Sequence, residues 1–322
     1  MSAFHRTYRS PPFAPAYMLH AFRPSPGWAS ARGCPDLQLT WRGYRVESAA
    51  ADLLRAVTGI GDEDYSSRLC ILYPQVTGFR LVMAMLTHPA WPLPIWNALQ
   101  VRNRLRLHAP FRPGDEFDLE ARVSGWRVLA KGVEIDIHTK LAQRGACRWE
   151  SIVTFYYRGR FGAEAASGLA LGAGATSPVI RESLPENGTE SAAIESAAIE
   201  SATWNVGDDQ RWRFAGLTGD FNGLHQWDGY ARRMGFPAAF PHPQRALGQC
   251  LARLPEPGPV PLELDLWIKG PVFFGRDVTL HHGPAAATGG RDFGLWLDGE
   301  SRPALVGTLR AASAAAVDPP AA

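Results

Sequence analysis

The sequence is short of charge excess, of cysteine pairs and of long apolar runs, and each shortage removes a class of function. Lys and Arg total 33 against 31 Asp and Glu, a net charge of +2. A nucleic-acid-binding protein usually shows a basic excess or a basic run. Neither is present, so nucleic acid is excluded as a partner. The densest basic stretches are Arg102–Arg106 (R-N-R-L-R) and the pair Arg232–Arg233, which read as solvated strand edges. The four cysteines stand at 34, 70, 147 and 250 with no C-x-x-C pair, which gives a zinc or thioredoxin-type site no support, and no metal is expected. They fit free thiols in a reducing compartment. No apolar run approaches the ~18 residues that a membrane helix needs. The first residues, M-S-A-F-H-R, lack the apolar stretch of a secretory leader. The expectation is a cytoplasmic protein with no membrane partner.

What is present is a chain of 322 residues, 46% hydrophobic, enough for about two domains at ~150 residues each. With 32 Gly and 26 Pro, many turns and short strands are expected rather than a helical bundle. Residues 161–203 are rich in Ala, Gly, Ser and Glu, contain a small E-S-A-A-I repeat, and read as a connector without chemistry. The flanking parts, 1–160 and 204–315, echo each other, and 316–322 reads as a tail. Pro110-Phe-Arg-Pro-Gly114-Asp115 matches Pro271-Val-Phe-Phe-Gly275-Arg276, and each turn has alternating, strand-like sequence on both sides. Each half also contains a stretch with helical periodicity that opens on a proline. In the second half it follows Pro243, with Ala246, Leu247, Cys250, Leu251 and Leu254 on one face. In the first half it begins at Pro74 and runs to Leu86. Each half therefore reads as one helix followed by a meander of three or four antiparallel strands, an α+β architecture in which a sheet wraps a central helix.

The chemistry concentrates in residues 214–230, F-A-G-L-T-G-D-F-N-G-L-H-Q-W-D-G-Y. Taken singly, Asp220 and Asn222 read as turn or cap residues and His225 as a structural histidine. Together, Gly219-Asp220, Asn222-Gly223 and His225 form a tight turn that holds a carboxylate and an imidazole close enough to grip one water. Asp220 accepts a proton and His225 orients or relays it, which is general acid–base chemistry.

The string F-A-G-L-T-G-D-F-N-G-L-H resembles the signature of the MaoC-like hotdog dehydratases, also called (R)-specific enoyl-CoA hydratases or hydratase 2. His242 before the second helix and Lys269-Gly-Pro-Val-Phe-Phe-Gly275 resemble further segments of that family. Val101-Arg-Asn-Arg, Pro113-Gly-Asp115 and Gly159-Arg-Phe161 resemble the degenerate first hotdog of its two-domain members. The resemblance implies a double hotdog fold and reversible syn addition of water to a trans-2-enoyl thioester. It places Asp220 and His225 as the catalytic pair, with Asn222 bracing their loop. It implies no metal or redox cofactor, a coenzyme A or acyl-carrier-protein thioester as substrate, and a first half that makes room for the acyl chain. The basic patches are then also places where a coenzyme A phosphate could sit. A two-hotdog chain can close its own pseudo-dimer, and a further homodimer is left open.

Two positions depart from the family pattern. Asn-Pro is replaced by Asn222-Gly223, a change expected to loosen the turn. His-Gly is replaced by His242-Pro243 in the family's register, and in the family that glycine's N–H faces the thioester oxygen. Proline has no N–H, and one lost oxyanion donor costs about 10²–10³ in rate. The Gln244 N–H, the His242 imidazole or the field of the helix N-terminus are the substitutes at hand. The expectation is a dehydratase of altered or weakened activity. The alternatives are a silent acyl-thioester-binding protein and a hotdog thioesterase.

Overall fold

A computed structural model describes residues 4–29, 33–61, 66–168, 200–258, 260–284 and 290–312. The first half contains β1 (Phe4–Tyr8), α1 (Ala14–His20), β2 (Leu37–Arg45), α2 (Ser48–Thr58), α3 (Ser67–Thr77) and α4 (Phe79–Leu86), followed by β3 (Leu99–Leu107), β4 (Glu116–Leu129), β5 (Gly132–Gln143), β6 (Ala146–Arg158) and β7 (Ala165–Gly168). The second half contains β8 (Glu200–Asn205), α5 (Arg211–Thr218), α6 (Asp228–Arg233), α7 (Pro243–Arg253), β9 (Leu262–Ile268), β10 (Asp277–His282), β11 (Arg291–Leu297) and β12 (Leu305–Ala311).

All the strands form one sheet in the order β1-β2-β4-β5-β6-β3-β9-β12-β11-β10-β8, with β7 also paired to β4. Both halves repeat one wiring. The strand after the central helix, β3 or β9, pairs with the third of the three long strands that follow it, β6 or β12. The expected simple meander therefore holds only for β4-β5-β6 and β10-β11-β12. The Pro-x-x-x-Gly turns lead between strands that are not neighbours in the sheet. Gly114 and Gly275 both have positive φ, 85° and 73°, which a residue without a Cβ adopts freely. Each donates its N–H to the residue just past an outer strand of its half, Gly114 to the Val46 carbonyl after β2 and Gly275 to the Val206 carbonyl after β8, both at 2.8 Å. The halves join edge to edge where β3 pairs antiparallel with β9, from Arg102↔Trp267 to Leu107↔Leu262. One contiguous apolar core runs through both halves, as in a double hotdog.

Several expectations need correction. Pro74 lies inside α3, and the first central helix begins at Ser67 behind the cap of Ser66, whose Oγ accepts the Leu69 N–H at 3.4 Å. Together α3 and α4 make a 20-residue apolar run, Ser67–Leu86, with mean hydropathy 1.5. That is long and apolar enough to cross a membrane, contrary to the reading that no such run exists. It is 94% buried inside the protein, which is the environment of a core helix. Strands β7 and β8 occupy the two ends of the segment read as a connector. Its interior, 169–199, and the tail 316–322 lie outside the described residues. The Arg102–Arg106 stretch is not a solvated edge, because β3 is the seam strand between β6 and β9. Arg104 pairs with Asp265 at 2.7 Å and Glu263 at 3.2 Å, and Arg102 approaches Glu134 at 3.9 Å.

Candidate active site

The motif loop begins where α5 ends. Gly219 caps α5 with φ 71°, and a Cβ there would run into the Tyr17 hydroxyl and the Arg80 side chain. Both contacts come from the first half. Tyr17 of α1 donates to the Gly219 carbonyl at 2.7 Å, and Arg80 of α4 donates to the Gly216 carbonyl. The loop is thus held from behind by the half that carries no motif.

Within the loop each polar group has one assigned task. The Asp220 N–H donates to the Thr218 hydroxyl at 3.1 Å, and Asp220 Oδ1 accepts the Asn222 N–H at 2.9 Å. Asn222 Oδ1 accepts the Leu224 N–H at 3.1 Å, capping the 3₁₀ turn Gly223–His225. Asn222 thus ties the end of the loop to the turn that carries His225. His225 Nδ1 lies 2.9 Å from the Phe240 carbonyl. A carbonyl can only accept, so Nδ1 carries a proton, and in the neutral ring Nε2 keeps its lone pair. That lone pair lies 3.6 Å from Asp220 Oδ2.

His242 is wired in the opposite sense. As N-cap of α7 its Nδ1 accepts the Gln244 N–H at 3.2 Å, so the neutral ring carries its proton on Nε2. This Nε2 lies 3.7 Å from the same Asp220 Oδ2. Phe79 and Phe214 pack against the ring at centroid distances of 5.0 and 5.9 Å. Burial, and secondarily the neighbouring His225, push the His242 pKa well below the ordinary imidazole range. The ring therefore stays neutral and remains a donor. Asp220, His225 and His242 offer atoms within 4.8 Å of one another, a spacing that could hold a metal ion. With its proton on Nε2, however, His242 presents no lone pair, and the trio is arranged for hydrogen bonding.

The Gln244 N–H and the His242 imidazole differ in what they can offer a thioester oxygen. The Gln244 N–H is already used by His242, and the fully buried Gln244 side chain is absent from the cavity wall. Pro243 lines the cavity but has no N–H to offer. His242 Nε2–H is the donor that remains beside Asp220. The glycine at 223 also has a packing role. An added Cβ would lie 2.8 Å from the Tyr230 ring, so glycine is what lets that ring lie on the turn.

These groups open on a cavity of about 320 Å³, at the lower end of ordinary ligand pockets. Its polar end is formed by Asp220, Asn222, His225 and His242. Its apolar wall is shared between the halves, with Met18, Phe79, Met83 and Trp96 from the first and Phe236, Phe240 and Ile268 from the second. Motif reading missed these residues, since only their apolar character marks them in sequence. It also missed Tyr17, Arg80 and the Phe240 carbonyl, whose contacts depend on tertiary placement alone.

Fold and site together define a double hotdog protein with a carboxylate and two imidazoles at the end of an apolar cavity. Its architecture is that of the MaoC-like dehydratases. No protein-family profile matches the sequence. The 3-hydroxyacyl-thioester dehydratase X of Mycobacterium tuberculosis is 21% identical over 276 residues, covering 86% of this chain and 90% of that protein. The crystal structure of HtdX from M. tuberculosis superimposes with a TM-score of 0.66 at 19% identity, covering 85% of this chain and 100% of the other. A MaoC-like dehydratase from Phytophthora capsici gives 0.66 at 15% identity, covering 90% and 99%.

Proposed function

We propose that the chain hydrates and dehydrates acyl thioesters, interconverting a trans-2-enoyl thioester and its (R)-3-hydroxyacyl counterpart. The observation that carries this reading is the arrangement around Asp220 Oδ2. The His225 Nε2 lone pair stands 3.6 Å away, and His242 Nε2–H stands 3.7 Å away. The first gap is too long for a good direct hydrogen bond, but it suits a water that donates to both acceptors at about 2.8 Å each.

Hydration then follows from the polarity of each group. As the water oxygen bonds to C3, Asp220 Oδ2 takes one of its protons, with His225 holding the other. Electron density moves from the C2–C3 double bond to the thioester oxygen. A proton returned from the same pair to C2 completes the addition on a single face, and dehydration is the reverse. The developing charge on the thioester oxygen needs a donor, and the neutral, buried His242 Nε2–H supplies it in place of the N–H that Pro243 lacks. Such a preorganised donor in a water-poor site acts where charge develops. This chemistry uses no metal or redox cofactor.

The acyl chain lies against the apolar wall that α1 and α4 share with the second half. The carrier is coenzyme A or an acyl-carrier protein. Lys269, which lines the cavity, offers a cation toward it, whereas Arg102 and Arg104 are already paired with acids.

Enoyl absorbance is followed with a trans-2-enoyl-CoA in wild type, Asp220→Asn and His225→Ala. The expected result is a wild-type rate that falls about 10²–10⁴-fold in each variant. Equal, near-zero rates for all three would point to a silent binder. Thiol release without loss of enoyl absorbance would point to a thioesterase. Either outcome overturns the proposal.

A further inference from the structure

A second cluster of ligating side chains lies in the first half, on strand positions far in sequence from the motif loop. Glu150 stands in β6 between β3 and β5, with Arg106 and Lys140 directly opposite it on the two neighbours. The diagonal positions are His108, just beyond β3, and His138 on β5. Both imidazoles reach the carboxylate. His108 Nε2 lies 2.9 Å from Oε1, and His138 Nε2 lies 2.9 Å from Oε2.

Cys147 completes the group because of a backbone irregularity. Residues three apart on a regular strand face opposite sides, which would turn Cys147 away from Glu150. The β5–β6 register slips between Leu141 and Ala142, which pair with Trp149 and Cys147 and leave Arg148 as the extra residue. Such a bulge re-aims side chains. The ligating atoms of His108, Cys147 and Glu150 accordingly lie within 4.8 Å of one another, and all three residues are half-buried. No C-x-x-C or His-x-x-His spacing announces this group, because the bulge and two diagonal strand neighbours assemble it.

We propose that His108, Cys147 and Glu150 form a binding site for a divalent metal ion of zinc's class. A thiolate with imidazole and carboxylate suits zinc far better than magnesium or calcium, which prefer all-oxygen shells. Zinc bonds of ~2.0–2.3 Å set neighbouring ligand atoms ~3.3–3.8 Å apart, so the shared His108–Glu150 contact opens by under ~1 Å as the ion replaces its proton. Glu150 Oε1 and His108 Nε2 ligate, while His138 keeps its bond to Oε2 and orients the carboxylate from behind. A water takes the fourth position. Burial and Glu150 hold the Cys147 thiol up at about 11, while Lys140 and Arg106 pull it down. The ion displaces that proton, so uptake releases protons to solvent. The bound ion would fasten the turn after β3 to β6. This inference is independent of the acyl-thioester reading.

The full chain, stripped with a chelator, is titrated with cobalt(II) while the near-ultraviolet sulfur-to-cobalt charge-transfer band is recorded. One saturable equivalent per chain is expected, displaced by zinc. Cys147→Ser is expected to abolish the band while circular dichroism confirms folding. His108→Ala and His138→Ala are each expected to weaken cobalt affinity by about 10–100-fold, and Asp220→Asn to leave it unchanged. Absence of a band in the folded wild-type chain overturns the proposal, as does a band that persists in Cys147→Ser.

Discussion

Replacing His242 by Asn separates the two jobs of that side chain. Asn is among the best N-cap residues, and its Oδ1 takes the place of the Nδ1 that accepts the Gln244 N–H at 3.2 Å. The shorter side chain has nothing at the position of Nε2, 3.7 Å from Asp220 Oδ2. Helix capping is kept and the cavity donor is lost. If that donor serves the thioester oxygen, kcat falls by about 10²–10³, or ~2.7–4 kcal/mol of transition-state stabilisation. Pro243→Gly restores a backbone N–H on the cavity wall. In the wild-type background His242 already fills the role, so its gain in kcat is expected to be under ~10-fold, with a stability loss of about 0.4–1 kcal/mol from the freer unfolded chain. In the His242→Asn background the same change should recover much of the lost rate. The non-additivity of this double-mutant cycle is the signal, read as enoyl-CoA turnover with chemical denaturation as a control. A gain of 10² or more from Pro243→Gly alone, or an unimpaired His242→Asn enzyme, would refute the reasoning.

Further outcomes follow from the same contacts. Gly223→Pro, which restores the family's residue, drives a Cβ against the Tyr230 ring 2.8 Å away and should cost about 1–3 kcal/mol by urea unfolding. The double change with Tyr230→Ala should recover part of that cost, and an unaltered midpoint in Gly223→Pro would contradict the packing. Gly219→Ala combines a left-handed backbone with a clash at Tyr17 and Arg80, so both melting temperature and turnover should drop, whereas a neutral result would mean the loop is not gripped there. His242 stays neutral in the folded state, but in the unfolded chain it protonates near its ordinary pKa of about 6.5. As pH falls below that value the unfolded state takes up the proton first, so His242 should steepen the stability loss by up to ~1.4 kcal/mol per pH unit. Melting curves between about pH 7 and pH 5 should flatten in His242→Asn, and identical slopes would contradict the buried, neutral ring.

The elements most legible in sequence were those whose cause is local. Alternation located β10 and β11, and Ala246, Leu247, Cys250 and Leu251 are all buried in α7, although Gln244, Arg245 and Gln249 on its other faces are buried as well. The spacing of Asp220, Asn222 and His225 is set by one short turn, so those residues could be read directly. What depended on distant partners was not legible. Pro74 resembled a helix start because nothing nearby shows that core packing sustains the helix through it. The Arg102–Arg106 stretch resembled an exposed edge because the acids that neutralise Arg104 come from β9, in the other half. Gln244 looked available as a donor because only the rotation of the His242 ring decides where its N–H goes.

The grip of Tyr17 and Arg80 on the motif loop means that the first half is not a spare copy. A duplicated unit that gave up its own reactive turn would be free to drift, unless the surviving turn came to lean on it. Here two hydrogen bonds reach carbonyls of α5 and its cap, so the half without chemistry sets the position of the half that has it. Substitutions at Tyr17 and Arg80 should therefore register first as slower turnover with ordinary substrate affinity, as in an enzyme whose active-site defects lie outside the active site.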